Sequence, residues 1–271
     1  MSVQAASRSL ADVALAAAFA EVRLIHDLMS FHLDDSDVSR INRAPPDEPI
    51  AVNRRSVEVL RLAGELSHHS DGHFDITVAP NLVAAGYLPA PKSERAPDAG
   101  ARWQDIVVLS DEAVMLEKSA WIDLGGIAKG YAVDRALEAC LAEGAPACIV
   151  DAGGDLRVSD GMSAAVRLAA PRADDARVPL LELSGGSVAS SHGEPGAAVT
   201  GGGGAGPHFD GVTGAGVDPR HFVSVLCERC IIADALTKVV MTLAADASPV
   251  LSAFHATAFI HTPESGWREL P

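Results

Sequence analysis

The chain has 271 residues, of which 48% are hydrophobic, 21% are charged and 4% are aromatic. This length suffices for one large domain or two closely packed ones, with a core built mostly from small aliphatic residues. The formal net charge of −15 at pH 7 argues against nucleic acid or an anionic membrane surface as a partner. An anionic ligand must therefore be drawn in by local positive groups.

The N-terminal part of the chain is predicted to be helical. The apolar spacing predicts a helix over residues 9–30 and another over 55–69. The apolar face of the first helix is expected to consist of Leu10, Val13, Ala17, Leu24 and Leu28, with Ile25 beside it. No apolar run of ~18 residues is present, which predicts no membrane span. Residues 13–20 lack the positive flank of a signal peptide, which favours a cytoplasmic protein.

Strands dominate the rest of the chain, with helices between them. Strands are predicted at 105–109, 113–116, 147–151, 155–158, 164–169, 179–183 and 222–227. A last helix is predicted to start near Ala233, and residues 89–101 and 193–206 are predicted to be surface loops. Strands and helices without strict alternation predict an α+β fold with mixed or antiparallel sheets and packed helices. We expect a single compact unit over residues 1–271, with two closely packed subdomains as the alternative.

A glycine pair at a predicted helix start is the most specific local signal. Residues 122–134 read I-D-L-G-G-I-A-K-G-Y-A-V-D, so Gly125 and Gly126 precede a predicted helix over 127–143. The first-turn amides of a helix are unpaired and attract anions, and Lys129 adds a positive charge there. The pattern is neither a Walker sequence nor G-x-G-x-x-G. It predicts either a phosphate or pyrophosphate site or a helix start without a ligand.

Cysteine usage gives no sign of a zinc site. Cys227 and Cys230 form a lone C-x-x-C, and the chain has no second pair to complete a zinc site. The pair falls in a predicted strand, whereas a redox C-x-x-C begins a helix. We therefore expect buried, reduced thiols.

Several further sequence blocks occur in a fixed order around the glycine pair. They are S-F-H-L-D-D-S-D-V-S-R-I-N at 30–42, G-H-F-D-I-T-V-A-P at 72–80, C-I-V-D-A-G-G-D-L-R at 148–157, V-A-S-S at 188–191 and C-I-I-A-D-A-L-T-K at 230–238. With the glycine pair, this series resembles the FAD:protein FMN transferases, the ApbE-type flavin transferase family, over roughly residues 20–245. The resemblance implies a T-fold-like architecture and a Mg²⁺-dependent enzyme. Such an enzyme moves FMN from FAD to a Thr or Ser hydroxyl of a partner protein and releases AMP.

The resemblance also implies a metal site. It places Mg²⁺ on Asp234 and Thr237, with the backbone carbonyl of Ala128 completing the protein ligands. Asp234 and Thr237 are three positions apart and share a helix face, and their oxygens suit this ion. The family has Thr at the fourth position after the aspartate, where this chain has Lys238, and this departure changes the groups available to a metal ion. The alternative is that Asp234 caps its own helix and pairs with Lys238.

Histidine is the natural general base for a hydroxyl nucleophile. The segment H-F-D-G-V-T-G at 208–214 is the closest match to the family's histidine and D-P-R-T-G segment, and it makes His208 the expected base. Its spacing is one residue shorter than in the family. A rival register on D-P-R-H at 218–221 would leave His221 unexplained, and a solvated loop histidine is the third interpretation. No role is predicted for His73.

The remaining expected contacts surround FAD. The resemblance places the pyrophosphate at residues 125–130, with Lys129 stabilising the negative charge that develops during the reaction. Asp75 and Thr77 are predicted to lie on one side of an extended segment and to form a wall of the flavin site. Asp134 is expected to contact the ribose or adenine. Gly153 and Gly154 are expected to form a turn that the adenine approaches. Asp75 and Thr77 are equally consistent with a plain polar strand face.

The family usually opens with a strand ahead of the first helix, and here that strand is expected to be missing. The resulting prediction is an FAD-dependent transferase with FAD, Mg²⁺ and an acceptor protein as partners. Two alternatives stay open, namely an FAD-binding protein without transferase activity and a Mg²⁺-dependent FAD pyrophosphatase. The family resemblance makes a periplasmic location the alternative to a cytoplasmic one.

Overall fold

The computed structural model describes residues 1–168, 178–193 and 206–271. The chain divides into two compact units. Unit 1 comprises Met1–Leu24, Lys129–Gly193 and Arg220–Pro271, and unit 2 comprises Ile25–Ala128 and Glu194–Pro219. Nearly all of the predicted loop at 193–206 lies outside the described residues.

Helices and strands are interspersed along the chain. The helices are α1 (Arg8–Met29), α2 (Asp37–Arg43), α3 (Arg54–His69), α4 (Ala79–Ala84), α5 (Ala128–Ala142), α6 (Cys230–Leu243) and α7 (Ser248–Ala253). The strands are β1 (Ser2–Gln4), β2 (Ile50–Ala51), β3 (Ile106–Val108), β4 (Ala113–Leu116), β5 (Ala147–Asp151), β6 (Asp155–Arg167), β7 (Leu180–His192), β8 (Phe222–Cys227), β9 (Thr257–Thr262) and β10 (Gly266–Leu270). Short 3-10 helices cover Ile76–Val78, Trp103–Asp105 and Ala244–Ala247. This mixture confirms the predicted α+β fold.

Unit 1 is built on a seven-stranded sheet with the order β1-β5-β6-β7-β8-β9-β10. Every neighbouring pair in it is antiparallel. Helix α6 packs on β7 and β8, so its polar residues are held against the centre of the sheet. The apolar core between helices and sheet consists of Ala14, Ala18, Val133, Ala136, Leu137, Cys140, Ala145, Cys148, Val150 and Cys230.

Unit 2 contains a three-stranded sheet with the order β2-β4-β3, and α3 packs beside β3. Helix α3 buries Val57, Leu60 and Leu66. Its apolar spacing also predicts Leu62 on this face, but Leu62 is only partly buried. Residues 89–101 contain no helix or strand and are mostly exposed, which agrees with the predicted surface loop.

Glycines explain where the predicted strands differ from the observed ones. The predicted strands at 155–158 and 164–169 form the single strand β6, whose pairing with β7 is irregular between Val158 and Ser163. Strand β7 continues to His192 because Gly185 and Gly186 adopt φ of 79° and 76° within it, where they allow a bulge instead of ending the strand.

The end of the chain holds more structure than predicted. Helix α6 begins at Cys230, three residues before the predicted start near Ala233. It is followed by α7, β9 and β10, which the sequence did not reveal. A short strand at the N-terminus was also missed. Strand β1 pairs with β5, with Ser2 opposite Ile149, so the expectation of a missing opening strand is wrong.

The predicted apolar face of α1 is displaced by about one residue. Val13 and Leu24 are exposed, while Ala14, Ala18, Ile25 and Met29 are the buried residues. Large side chains suggested the wrong face because the contact in unit 1 is made by alanines, which let the helix lie close to its neighbours. Within the described ranges, no helix is long and apolar enough to cross a membrane.

The cysteines are free thiols, as expected, but their placement differs from the prediction. Cys227 ends β8 and Cys230 begins α6, so the pair spans a strand end and a helix start. Burial raises the pKa of both thiols, which disfavours the reactive thiolate of a redox site. Cys227 is only partly buried.

Candidate active site

Asn42 fixes the chain just before the glycine pair in unit 2. Its side-chain amide donates to the carbonyl of Ile122 at 3.0 Å, and its side-chain oxygen accepts from the amide of Ile122 at 2.7 Å. The amide of Asp123 donates to the carbonyl of Ile76 at 2.8 Å. Because Asn42 is buried, these hydrogen bonds are shielded from water. The segment that leads into α5 is therefore held firmly.

The amides of the glycine-pair turn are less available than the sequence predicts. Gly125 donates to the side chain of Asp123 at 3.1 Å. Ile127 and Ala128 both donate to the carbonyl of Leu124, at 3.0 and 2.8 Å. The expectation of unpaired first-turn amides is therefore wrong for these residues, because the turn itself satisfies them.

Gly130 brings α5 and α6 into close contact in unit 1. Its amide donates to Oδ2 of Asp234 at 3.0 Å. A Cβ atom on Gly130 would lie 2.3 Å from the carbonyl oxygen of Cys230 and 2.8 Å from Cβ of Asp234. Only glycine fits there without moving a helix. Asp234, which is 0% exposed, therefore bonds to the first turn of α5 rather than capping its own helix.

Asp134 on α5 holds the start of α6 through hydrogen bonds. Its carboxylate accepts from the amides of Cys230 at 2.9 Å and Ile231 at 3.0 Å. Arg157 on β6 donates to the same carboxylate at 2.9 Å. Asp134 is 0% exposed, so it presents no surface to a nucleotide. Here a carboxylate from α5 satisfies the orphan amides of α6, and the ribose or adenine contact expected of Asp134 stays a prediction.

Four charged side chains meet beside these two helix starts. Nζ of Lys129 lies 2.9 Å from Oδ2 of Asp155 and 3.6 Å from Oδ1 of Asp234. Nζ of Lys238 contacts the same oxygen of Asp234. We call Lys129, Asp155, Asp234 and Lys238 the lysine–aspartate cluster. Both carboxylates are buried, whereas the Lys129 side chain is 57% exposed, so an anion can reach its ammonium group.

A chain of hydrogen bonds continues from the cluster to β7. Lys238 donates to Oγ of Ser191 at 3.0 Å and to the carbonyl of Asp234 at 3.1 Å. The hydroxyls of Ser191 and Thr237 lie 2.8 Å apart, and Thr237 donates to the carbonyl of Asp234 at 2.6 Å. The Thr237 hydroxyl is therefore occupied within the protein.

Burial and charge have opposite effects on the pKa values of the cluster. Burial lowers the pKa of Lys129, but the carboxylates of Asp234 and Asp155 outweigh it, and the pKa is raised overall. Burial is also the largest influence on Lys238, whose pKa is lowered even though Asp234 opposes the change. Burial, with the charge of Asp234, raises the pKa of Asp155 against the effect of Lys129. The exposed Lys129 is therefore a firmly charged cation.

These residues do not fit the expected magnesium site. Both oxygens of Asp234 already have partners, one in the Gly130 amide and one in the Lys238 ammonium group. The hydroxyl of Thr237 is also occupied, and Ala128, the first residue of α5, adds one backbone carbonyl at most. Water and phosphate oxygens can complete the octahedral shell of Mg²⁺, but the protein must still supply a carboxylate oxygen that no other cation holds. Across the described part of the chain, no group of three or more His, Cys, Asp or Glu side chains could hold a metal ion.

Asp75 and Thr77 lie in unit 2 and bind to each other. The Asp75 carboxylate accepts from the amide and the hydroxyl of Thr77, both at 2.8 Å, and from the amide of Trp103 at 3.3 Å. Residues 76–78 form a 3-10 helix that Asp75 caps, so the predicted extended segment is wrong. Alternating residues suggested a strand, but an aspartate followed by a threonine also forms a local cap. Burial raises the pKa of Asp75.

The predicted base segment packs against the same part of unit 2. A Cβ atom on Gly211 would lie 2.2 Å from the carbonyl oxygen of Gly72, so the two loops touch. Asp210 accepts from the Thr213 hydroxyl at 2.7 Å and lies 2.9 Å from Nδ1 of His73. The carbonyl of His208 accepts from the amide of Val217 at 2.9 Å.

Hydrogen bonds make Asp210 a stronger acid than usual. Burial alone would raise the pKa of its carboxyl, but bonds from Thr213, the Val212 amide and His73 together lower it. The sequence did not reveal the His73–Asp210 pair because the two residues are far apart in the chain, although His73 lies in the segment 72–80 and Asp210 in the segment 208–214.

The remaining predicted residues and two unpredicted ones lie in unit 1. Gly153 and Gly154 form the tight turn between β5 and β6, with φ of 76° and 124°, and both are exposed. Asp155 belongs to the lysine–aspartate cluster and Ser191 accepts a hydrogen bond from its Lys238, although no role was assigned to either. Asp155 lies in the sequence block at 148–157 and Ser191 in the block at 188–191. Their place in these blocks is the signal from which a role could have been predicted.

Comparisons with known proteins agree with the fold. The model of the ApbE family matches residues 1–260. The ApbE protein of Thermotoga maritima has a TM-score of 0.76 at 24% identity, covering 98% of this chain and 90% of that one. The apo form of the Pseudomonas stutzeri flavinyl transferase ApbE has a TM-score of 0.76 at 23% identity, covering 93% of this chain and 84% of that one.

The curated relatives that the chain matches carry the name FAD:protein FMN transferase. That of Vibrio cholerae serotype O1 is 28% identical over 180 residues, which are 62% of this chain and 54% of the relative. That of Chlamydia pneumoniae is 35% identical over 136 residues, which are 46% of this chain and 42% of the relative. The chain thus spans about half the length of the curated relatives it matches.

Proposed function

The chain belongs to the ApbE family, and from this premise we propose that it transfers FMN from FAD to a Thr or Ser hydroxyl of a partner protein, releasing AMP. Relatives named FAD:protein FMN transferase support the reaction type. Within this chain, the observation that carries the proposal is the lysine–aspartate cluster at the start of α5. It offers the largely exposed, positively charged side chain of Lys129 at the positive end of the α5 dipole, where pyrophosphate oxygens are stabilised.

The reaction exchanges the phosphoanhydride bond of FAD for a phosphate ester bond to the acceptor. The acceptor hydroxyl oxygen forms a bond to the FMN phosphorus of FAD, and the bond from that phosphorus to the bridging oxygen breaks. AMP leaves with the bridging oxygen and its negative charge, and the hydroxyl proton goes to a base. Positioning and charge stabilisation supply most of the catalysis in such transfers.

Roles for individual residues follow from their chemistry. Lys129 stabilises the charge that develops on the leaving phosphate, since its ammonium group is exposed and firmly charged. We assign the proton-accepting role to His208. The Gly153-Gly154 turn has no side chains to obstruct an approaching adenine.

Two further assignments concern FAD in unit 2. Gly125 and Gly126 let the pyrophosphate approach the backbone, because neither carries a side chain. Asp75 and Thr77 form part of the flavin wall, where their mutual hydrogen bonds fix their orientation. The Mg²⁺ ion that the resemblance implies supplies no step of this proposal, because Lys238 occupies the carboxylate it would need.

The test follows the adenine and flavin halves of FAD separately. The purified chain is incubated with FAD and a bacterial protein extract as acceptor. AMP is quantified by chromatography, and protein-bound flavin is detected by in-gel fluorescence after denaturation. We expect AMP together with a covalently flavinylated protein band, with mass spectrometry locating the flavin on Thr or Ser. The matched Lys129→Ala variant should lose both signals.

Two other outcomes would contradict the proposal, and each would support a different alternative. AMP with free FMN and no labelled protein would identify an FAD pyrophosphatase. FAD binding without AMP would identify a flavin-binding protein without transferase activity.

A further inference from the structure

The position of Lys238 bears on which cations balance the negative charges at the FAD site of the proposed transferase. This inference rests on the proposed function. Lys238 lies one turn after Asp234 on α6, and its side chain is 14% exposed. Its ammonium group bonds to the carboxylate and carbonyl of Asp234 and to the hydroxyl of Ser191. An ammonium group has three hydrogens, and these three acceptors use all of them. Lys238 is therefore a fixed internal cation.

The charges of the cluster balance without any added ion. Lys129 and Lys238 contribute two positive charges, and Asp155 and Asp234 contribute two negative ones. A threonine at position 238 would leave one surplus negative charge on buried carboxylates, which a divalent cation would relieve. With lysine there, a divalent cation would add two uncompensated positive charges beside two ammonium groups.

One buried oxygen in the cluster lacks a partner among the described residues. Oδ1 of Asp155 is buried and makes no hydrogen bond, while its Oδ2 binds Lys129. A Mg²⁺ ion on this oxygen would lie beside the Lys129 ammonium group, which holds the other oxygen of the same carboxylate, and the two cations would repel each other. The orphaned oxygen therefore does not restore a metal site.

We infer that the Lys238 ammonium group is the resident cation of this site, occupying the place on Asp234 that a divalent metal ion would otherwise take. FAD then binds to Lys129, on the exposed side of a cluster that is already neutral. The consequence is a flavin transferase whose FAD binding does not depend on Mg²⁺ at Asp234.

Two measurements on the full chain test this inference, and both can be made without turnover. Isothermal titration calorimetry with MgCl₂ on FAD-free protein reports metal binding directly. Flavin fluorescence reports the Kd of FAD in EDTA and in excess Mg²⁺. Each is made on the wild type, on Lys238→Thr and on Lys238→Gln. The second variant keeps much of the side-chain length and carries the test should the first fail to fold. Lys92→Thr, which removes an exposed lysine of unit 2, is the matched control.

The wild type and the control should show no saturable Mg²⁺ heat, and their Kd for FAD should agree within about twofold in EDTA and in Mg²⁺. Removing the Lys238 charge should create saturable Mg²⁺ binding. FAD binding should then be about tenfold weaker in EDTA than in Mg²⁺, equivalent to about 1.4 kcal/mol.

Wild-type protein that binds Mg²⁺ as the variants do would overturn the inference, and so would variants that fail to bind it. Should the wild type bind no FAD under either condition, the proposed function fails, while the calorimetry still decides whether Lys238 excludes the metal.

Discussion

Replacing Asp134 with Asn distinguishes a residue that holds α6 from one that contacts a nucleotide. The substitution keeps the side-chain shape but removes the charge that faces the Cys230 amide, the Ile231 amide and Arg157. Breaking a buried ion pair from one side costs about 3–5 kcal/mol. The Arg157 side chain is 17% exposed and keeps some access to water, so we expect a loss at the lower end, about 3 kcal/mol.

Equilibrium denaturation with urea measures this loss as a change in the free energy of unfolding. Asp12→Asn is the matched control, since Asp12 is an exposed aspartate with one distant ion pair, and it should change stability by less than about 0.5 kcal/mol. In an Arg157→Gln background, Asp134→Asn should cost clearly less than it does alone, because the ion pair is already broken.

FAD affinity, measured well below the unfolding transition, supplies the refuting result. A carboxylate with no exposed surface cannot contact ribose or adenine, so Asp134→Asn should leave the Kd for FAD nearly unchanged. Loss of FAD affinity with an unchanged free energy of unfolding would show that Asp134 is a ligand contact and that its role in capping α6 is secondary.

Three further substitutions and one labelling experiment test other residues. Lys129→Ala should weaken FAD binding by about 1.5 kcal/mol in a fluorescence titration, which is the lower end of the range for hydrogen bonds to charged groups. A change below about 0.5 kcal/mol would show that Lys129 is an ordinary surface residue. Gly130→Ala should lower the free energy of unfolding by about 1–3 kcal/mol or more, because its Cβ would meet the backbone of α6. By contrast Gly64→Ala, in an open position on α3, should stabilise the protein by about 0.5–1 kcal/mol. Burial raises the pKa of Cys148 to about 12 and that of Cys230 well above its usual value. Iodoacetamide should therefore label these thiols only after denaturation, and rapid labelling of the folded protein would contradict this prediction.

Local patterns in the sequence predict the elements well, because helices and strands depend largely on local periodicity. Strands β5 and β8 have the predicted bounds, and α3 buries most of the expected face. The apolar face of α1 was predicted wrongly because periodicity weights large side chains, whereas the contact in unit 1 is made by alanines. Strands β9 and β10 were missed altogether.

The candidate site depends on contacts between residues far apart in the chain, which sequence spacing cannot reveal. Asp134 receives bonds from residues almost a hundred positions away, so its role at α6 could not be read from its own helix. The His73–Asp210 pair joins two loops that local patterns treat separately. The family resemblance did identify the blocks that supply the cluster, although it assigned Asp155 no role.

Lys238 shows why a residue type must be judged by its partners as well as by its place in a motif. Asp234 bonds to the amide of Gly130, and it holds both Lys129 and Lys238. A divalent ion about 4 Å from the Lys238 ammonium group would be repelled by about 8 kcal/mol at an effective dielectric constant of about 20. Such a repulsion would offset much of what the Asp234 carboxylate offers the ion. In this chain, where the family pattern has threonine, the Lys238 ammonium group balances the charge of Asp234, and the other oxygen of Asp234 binds the Gly130 amide at the start of α5.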